Sequence, residues 1–263
     1  MAPWALLRGV PDSFAACVTR RPAVPPLDPA RARRQHSGYR AALESGGFAT
    51  SLVPGDEAHP DCCFIEDTAV VLGGAVLATR PGHPSRRGEV AAVAAVLGER
   101  LDLAFLEAPA TLDGGDVLRV GRRLFVGESE RTSAAGRKAL ARWAAPLGFT
   151  VVPVPVRGVL HLKSAATALD EATVLLFPGA VDPAPLAGLR IVEVAGDDPE
   201  AANVVRLPDG RVLVAAHLPR SAAAVRAAGF TPVACEVSEF ARADGGLTCL
   251  SVRCRTGLAP ATP

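Results

Sequence analysis

Gly148-Phe149-Thr150-Val151-Val152-Pro153-Val154 is a glycine that follows a helix-like stretch and opens an apolar, strand-like one, the form a left-handed helix cap takes before a strand. The same phrase stands at Gly47-Phe48 ahead of Leu52-Val53-Pro54, at Gly98 ahead of Leu101-Asp102-Leu103, at Gly188 ahead of Ile191-Val192-Glu193-Val194, and at Gly229-Phe230 ahead of Val233-Ala234-Cys235. The glycines recur every 40 to 51 residues, a period that marks a repeated supersecondary unit. A second signal keeps the same beat. Two apolar runs flank a tight polar or glycine turn at Gly73-Gly74, Gly121-Arg122, Asp170-Glu171 and Asp209-Gly210, and each reads as a hairpin.

Each unit is therefore expected to run hairpin, helix, strand, with helices near residues 87–97, 133–147 and 221–228. The first unit lacks a hairpin and has a strand-like stretch at 4–10, a Pro-rich loop at 21–29 and an Arg-rich helix near 29–44. The strand-like run 247–252 is expected to pair beside residues 4–10 and close a ring of five units, which removes exposed sheet edges. A layered α/β sheet accounts for the same strand and helix alternation. In a ring, short loops from every unit meet at the axis, so a site there draws on distant parts of the chain.

Of the 263 residues, 49% are hydrophobic and 21% charged, which excludes a disordered chain. Twenty-eight Lys and Arg against 27 Asp and Glu leave a formal charge of +1, and no basic run is long enough to follow a phosphate backbone, so nucleic acid is not an expected partner. No stretch has the eighteen or so apolar residues of a membrane span, and Ala2 to Leu7 is cut off by Arg8. Six cysteines in a chain of this length do not make a disulfide scaffold. Reduced thiols in a cytoplasmic protein are the expectation.

Four polar segments interrupt the apolar text. In Asp61-Cys62-Cys63-Phe64-Ile65-Glu66-Asp67, paired acids at the mouth of a strand suit a guanidinium, which stays charged and takes carboxylates two N–H groups at a time; Asp61 reads equally as a solvated turn. His59 with Cys62 and Cys63 fits no strong zinc spacing. In Leu112-Asp113-Gly114-Gly115-Asp116-Val117-Leu118 the glycines allow close backbone approach, and by itself the segment reads as a turn into a hairpin. Its acids repel phosphate, but a carboxylate beside a histidine fixes an imidazole tautomer. Leu160-His161-Leu162-Lys163-Ser164 supplies a histidine, although one between leucines is more often a core residue. His36, His59, His83 and His217 read as surface, loop or helix positions. Gly245-Gly246-Leu247-Thr248-Cys249-Leu250-Ser251-Val252 adds a thiol, and Cys, His and a carboxylate from separate segments are the parts of an activated thiolate. Cys17, Cys235 and Cys254 read as buried structural thiols.

Together these segments resemble the dimethylarginine dimethylaminohydrolases, enzymes of the guanidino-group-modifying pentein superfamily. The matching text is Arg8-Gly9-Val10-Pro11-Asp12-Ser13, Arg34-Gln35-His36, Pro60-Asp61-Cys62 through Glu66-Asp67, Arg80-Pro81-Gly82-His83-Pro84-Ser85-Arg86-Arg87, Thr111-Leu112-Asp113-Gly114-Gly115-Asp116-Val117-Leu118, Arg131-Thr132, Leu160-His161-Leu162-Lys163-Ser164, Ala201-Ala202-Asn203 and Leu247-Thr248-Cys249. The resemblance implies a single domain over residues 1–263, a five-bladed α/β propeller of ββαβ-type repeats with pseudo-fivefold symmetry, its units falling near 1–54, 61–106, 113–155, 161–194 and 203–252. It implies a hydrolase that turns Nω-methylated L-arginine into L-citrulline and dimethylamine or methylamine with no metal or organic cofactor. The partner implied is a small guanidino molecule, and the chain is expected as a monomer or homodimer. By the same resemblance Cys249 is the nucleophile, His161 the general acid and base, and Asp113 the carboxylate that orients it. Glu66 and Asp67 hold the guanidinium, Asp61 meets the α-amino group, Arg86 and Arg131 clamp the α-carboxylate, and Ser164 supports the site. The 21–29 loop falls where the family has a mobile lid. An arginine-deiminase-like hydrolase of unmethylated guanidino compounds uses the same residue types, and a non-catalytic guanidino-compound binder is the third reading.

Overall fold

The computed structural model describes residues 2–20 and 22–254. Arg21, at the head of the expected lid loop, lies outside the described residues, as do Met1 and residues 255–263. The first sheet begins with Trp4–Arg8 (β1), parallel to Ala49–Val53 (β2). In the second unit Ala69–Leu72 (β3) turns at Gly73-Gly74 into antiparallel Ala75–Ala78 (β4), which runs parallel to Asp102–Phe105 (β5). The third repeats this with Val117–Val120 (β6), Arg123–Glu128 (β7) and Thr150–Pro155 (β8), and the fourth with Ala166–Ala168 (β9), Thr173–Leu176 (β10) and Arg190–Glu193 (β11). The fifth has Val205–Arg206 (β12), Val212–Ala215 (β13) and Pro232–Cys235 (β14). Val252–Cys254 (β15) then pairs antiparallel with β1, Leu6 opposite Val252 and Trp4 opposite Cys254. The end of the chain thus supplies the hairpin partner that the first unit lacks. Five separate three-stranded sheets result, rather than one layered sheet.

Local sequence sets the crossovers. Asp28 caps Pro29–Ser45 (α1) by accepting the N–H groups of Ala30 and Arg31, with Pro29 in the first turn where no donor is lost. Val90–Gly98 (α2) follows a 3₁₀ turn at Pro84–Glu89, and Ser133 caps Ala134–Ala144 (α3) through the Gly136 N–H. Leu162–Ala165 (α4) is a single turn after His161, and Pro219–Ala227 (α5) serves the fifth unit.

Three expectations need correction. The run 247–252 is not one strand, because Thr248–Leu250 forms a 3₁₀ turn and pairing starts at Val252. The fourth unit has only the short turn Ala184–Leu186 between β10 and β11, since Pro178, Pro183 and Pro185 deny an α-helix its donors and its clearance. Gly47, Gly148, Gly188 and Gly229 adopt positive φ as a left-handed cap requires, but Gly98 is the last residue of α2 and a right-handed Glu99 caps it. His36 also proves buried in α1, its ring 6.2 Å from that of Phe240. Burial and the neighbouring Arg40 push its imidazole down to about 4.

The inner strands β3, β6, β9, β12 and β15 surround an axial cavity of about 180 Å³, with Val71, Leu118, Thr167, Val205 and Val252 in its wall. Apolar clusters fill the spaces between units, and the outer strands face solvent on one side. Leu124 is fully buried on β7 whereas Leu52 is 49% exposed on β2. Leu124→Ala is expected to lower the unfolding free energy by about 2–5 kcal/mol, and Leu52→Ala to leave it within about 0.5 kcal/mol. Equal denaturant midpoints for the two variants would contradict this packing.

Candidate active site

One end of the ring gathers the short turn that leads into each inner strand. Ile65–Thr68 enters β3 with Glu66 and Asp67, and Gly114–Asp116 enters β6 just after Asp113. His161 and α4 enter β9, Pro199–Ala202 and Asn203 enter β12, and Thr248–Leu250 enters β15 with Cys249. Residues far apart in sequence therefore reach one axis.

Asp113 is fully buried. Its Oδ1 accepts the Gly82 N–H at 2.7 Å, and its Oδ2 stands 3.0 Å from His161 Nε2 and 3.9 Å from an Arg131 nitrogen. His161 is therefore held through Nε2, which leaves Nδ1 facing Asp67 Oδ1 at 3.9 Å. Burial works against a charged imidazole, but the Asp67 charge and the Asp113 hydrogen bond outweigh it and hold His161 up to about 9. Burial likewise opposes the Asp67 carboxylate, while His161 and Arg86 hold it down to about 2. Gly115 donates its N–H to Asp67 Oδ1 at 2.9 Å, and a Cβ there would come within 2.7 Å of His161 Nδ1. Glycine is required by that approach.

Glu66 and Asp67, adjacent in sequence, turn to different partners. Asp67 Oδ2 takes an Arg86 N–H at 2.5 Å. Glu66 Oε1 takes Lys163 Nζ at 2.6 Å and Arg253 at 3.0 Å, while its buried Oε2 has no hydrogen-bond partner among the described residues. Glu66, Lys163 and Arg253 also line the axial cavity. Cys249 is the one cysteine of the six that is partly exposed, and all six are free. Burial, then the charges of Glu66 and Asp67, push its thiol up to about 12, although the Gly246 N–H points at Sγ from 3.4 Å.

Asp61 is buried and accepts the Val18 N–H with both carboxylate oxygens, at 3.0 and 3.2 Å, so the solvated-turn reading fails for it. Burial raises its carboxyl above the usual range, with Arg86 pulling the other way. Arg86 is enclosed: Glu89 takes two of its five N–H groups, Asp67 one and the Phe64 carbonyl another. Arg131 is less committed; the Ser129 hydroxyl anchors its backbone N–H, and the 80–86 loop rests on its main chain at Gly82. Ser164 closes the turn begun at His161 by donating its N–H to that carbonyl.

Asp116, Lys163, Asn203 and Arg253 escaped the sequence reading as site residues. Asp116 accepts the Leu162 N–H and the Thr132 hydroxyl. Lys163 carried a signal, as one of two lysines in an arginine-rich chain. The ligand atoms of Asp67, Asp113 and His161 lie within 4.8 Å of one another. In this arrangement the carboxylates are already bonded to Arg86, Gly115 and Gly82, so the donor set is that of an imidazolium held by two acids.

The ring and the groups at its axis define a pentein hydrolase that acts on guanidino carbon. No family model matches the chain. It is 41% identical over 230 residues to the dimethylarginine dimethylaminohydrolase of Streptomyces coelicolor, covering 87% of this chain and 88% of that one. It is 31% identical over 232 residues to the enzyme of the same name from Pseudomonas aeruginosa, covering 86% and 89%. A solved structure of the P. aeruginosa protein, a Cys→Ser variant complexed with citrulline, superposes with a TM-score of 0.90 at 28% identity over 96% of this chain and 99% of that one. The chain belongs to the dimethylarginine dimethylaminohydrolase family.

The raised His161 makes folding pH-dependent. A group whose folded pKa lies above its unfolded value near 6.5 stabilises fully below that value and loses the contribution as pH rises through about 9. Between those limits the parent should lose roughly 3 kcal/mol that His161→Gln does not lose. Denaturant midpoints for both proteins on either side of the window test this, and parallel pH profiles would remove the imidazolium from the folded state.

Proposed function

We propose that this chain hydrolyses Nω-methylated L-arginine, both asymmetric dimethylarginine and monomethylarginine, to L-citrulline and dimethylamine or methylamine. The observation that carries this reading is Glu66 Oε2, a buried acceptor without a partner among the described residues, close enough to Cys249 for its charge to act on the thiol. An unmet buried acceptor costs about 1–3 kcal/mol, and a guanidinium N–H meets it with a charge-assisted bond. Family membership supports the substrate class.

A guanidinium carbon is a poor electrophile because three nitrogens share its charge, so attack needs a thiolate and departure needs a proton. Burial and the charges of Glu66 and Asp67 put the thiol at about 12. A cation bound against Glu66 and Asp67 offsets the two charges that add to the effect of burial and favours the thiolate, whose proton passes to solvent. Sulfur then bonds to the guanidino carbon. His161, an imidazolium up to about pH 9, gives its Nδ1 proton to the alkylamine; the C–N bond breaks and an S-alkylthiouronium remains on Cys249. The neutral imidazole takes a proton from water, the hydroxide adds to the same carbon, and the C–S bond breaks as the adduct's hydroxyl proton passes to the departing sulfur, which leaves the urea group of citrulline and restores the Cys249 thiol. Asp113 keeps Nδ1 aimed at the reacting centre throughout.

In the same reading Glu66 and Asp67 hold the guanidinium and Asp61 meets the α-amino group. Arg131 takes the α-carboxylate with the uncommitted N–H of Arg86, whose other bonds hold Asp67 in place. Ser164 supports the His161 turn. Six free thiols fit a reducing cytoplasm. Among the described residues no helix is long and apolar enough to cross a membrane.

Purified protein given asymmetric dimethylarginine should release citrulline and dimethylamine in equal amounts without added metal. Cys249→Ser should lower kcat by more than roughly 10³-fold while citrulline still binds. Turnover of plain arginine to ammonia, with none from methylated arginines, would assign the chain to deiminase chemistry; binding without turnover in the parent would make it a binder.

Iodoacetamide should modify Cys249 faster when millimolar guanidinium ion is present, since a cation lowers the thiol from about 12. A rate that does not respond to guanidinium excludes substrate-assisted activation.

A further inference from the structure

Asn203 lies in the turn that enters β12, the place that carries Glu66 and Asp67, Asp113, His161 and Cys249 in the other units. It is 4% exposed, and both polar atoms of its amide are used. Nδ2 donates to the Lys163 carbonyl at 2.8 Å and to the Thr248 hydroxyl at 3.0 Å, and Oδ1 accepts the Thr248 N–H at 3.0 Å. These bonds exhaust the donors of an asparagine side chain. Lys163 is two residues beyond His161, and Thr248 immediately precedes Cys249. The amide also packs against the backbone two residues before Thr248, because a Cβ on Gly246 would come within 2.6 Å of the Asn203 amide carbon. Gly246 is the residue whose N–H points at Cys249 Sγ.

We propose that Asn203 is a positioning residue that fixes the nucleophile segment against the acid and base segment, setting the register of Cys249 relative to His161. Asn203 bonds the backbones of both segments directly, whereas Glu66 Oε1 links them only through the side chains of Lys163 and Arg253. A neutral amide suits the task, since it offers donors to a carbonyl and an acceptor to an N–H without adding a charge beside Glu66, Asp67 and Lys163. The turnover readout rests on the hydrolase reading above; the thiol readout does not.

Asn203→Ala, Asn203→Asp and a control, Ser221→Ala, separate positioning from stability. Ser221 is buried in α5 and donates to the Ala201 carbonyl at 2.6 Å, two residues before Asn203, so its loss loosens the same turn without removing a bond to Lys163 or Thr248. At a temperature where all are folded, Asn203→Ala should lower kcat by about 10²-fold with KM within about threefold, while Ser221→Ala keeps the parent kcat. Freed from the clamp, the Cys249 turn admits water, burial no longer holds the thiol as high, and iodoacetamide should modify it several-fold faster even as turnover falls. Asn203→Asp retains the acceptor for Thr248. Ionised, its second oxygen meets the Lys163 carbonyl acceptor to acceptor; protonated, it donates as the amide did. Its kcat relative to the parent should therefore rise as pH falls from about 8 to about 6, a recovery that stability alone would not give at constant folded fraction.

A folded Asn203→Ala whose kcat and alkylation rate both stay within about twofold of the parent overturns the proposal. If Asn203→Ala does not fold, an Asn203→Asp with a pH-independent kcat ratio near unity overturns it instead. A parent that forms no citrulline defeats the hydrolase reading, and the alkylation comparison then decides the role of Asn203 alone.

Discussion

Two buried carboxylates, Asp113 and Asp67, hold one imidazole between them, and the rest of the site is arranged to let that happen. Taking three ionised groups out of water is costly unless each is paired and hydrogen-bonded. Arg86 and the Gly115 N–H satisfy Asp67, while the Gly82 N–H and His161 satisfy Asp113. Glu89 in turn occupies Arg86 with two bonds. Against the cost of burial, this shell keeps His161 up to about 9. Burial first, and then the charges of Glu66 and Asp67, keep the neighbouring thiol high. The charge of Asp67 thus raises both groups, which favours the imidazolium of His161 and disfavours the thiolate of Cys249.

Ring closure makes this shell possible. Each inner strand is entered by a short turn, and the turns of five units converge because β15 completes the first sheet against β1. Glu66 marks the inner limit of the site. Lys163 and Arg253 hold one of its oxygens from the side of the axial cavity, and the other is left without a partner. Arg253 also donates to the Thr248 carbonyl at 3.2 Å, so the strand that closes the ring anchors the turn that carries the thiol. Fold closure and placement of the thiol are one structural event.

The residue types of the chemistry were legible in the sequence once the polar segments were read together, because Cys249, His161 and Asp113 each interrupt apolar text. What each atom does was not. Sequence pairs Glu66 with Asp67 as one guanidinium clamp, yet the chain turns them toward different cations. Sequence offers Arg86 and Arg131 as equals, yet Arg86 is enclosed by Glu89, Asp67 and Phe64, and Arg131 is the freer of the two. Asn203 stood in the matched segment Ala201-Ala202-Asn203 without a role, since the two backbones it joins meet only in the fold.

By itself the sequence determined the period of the units, the four hairpin turns and the residues able to do chemistry. These depend on neighbours a few positions away, where turn conformation, capping and apolar alternation are local. Tertiary structure alone decided which nitrogen of His161 is free, which oxygen of Glu66 is unmet, and where the last strand begins. Those outcomes rest on contacts between residues 48, 97 and 187 positions apart. Such distances are set by the packing and closure of all five units together, and no stretch of chain short enough to read locally contains both partners.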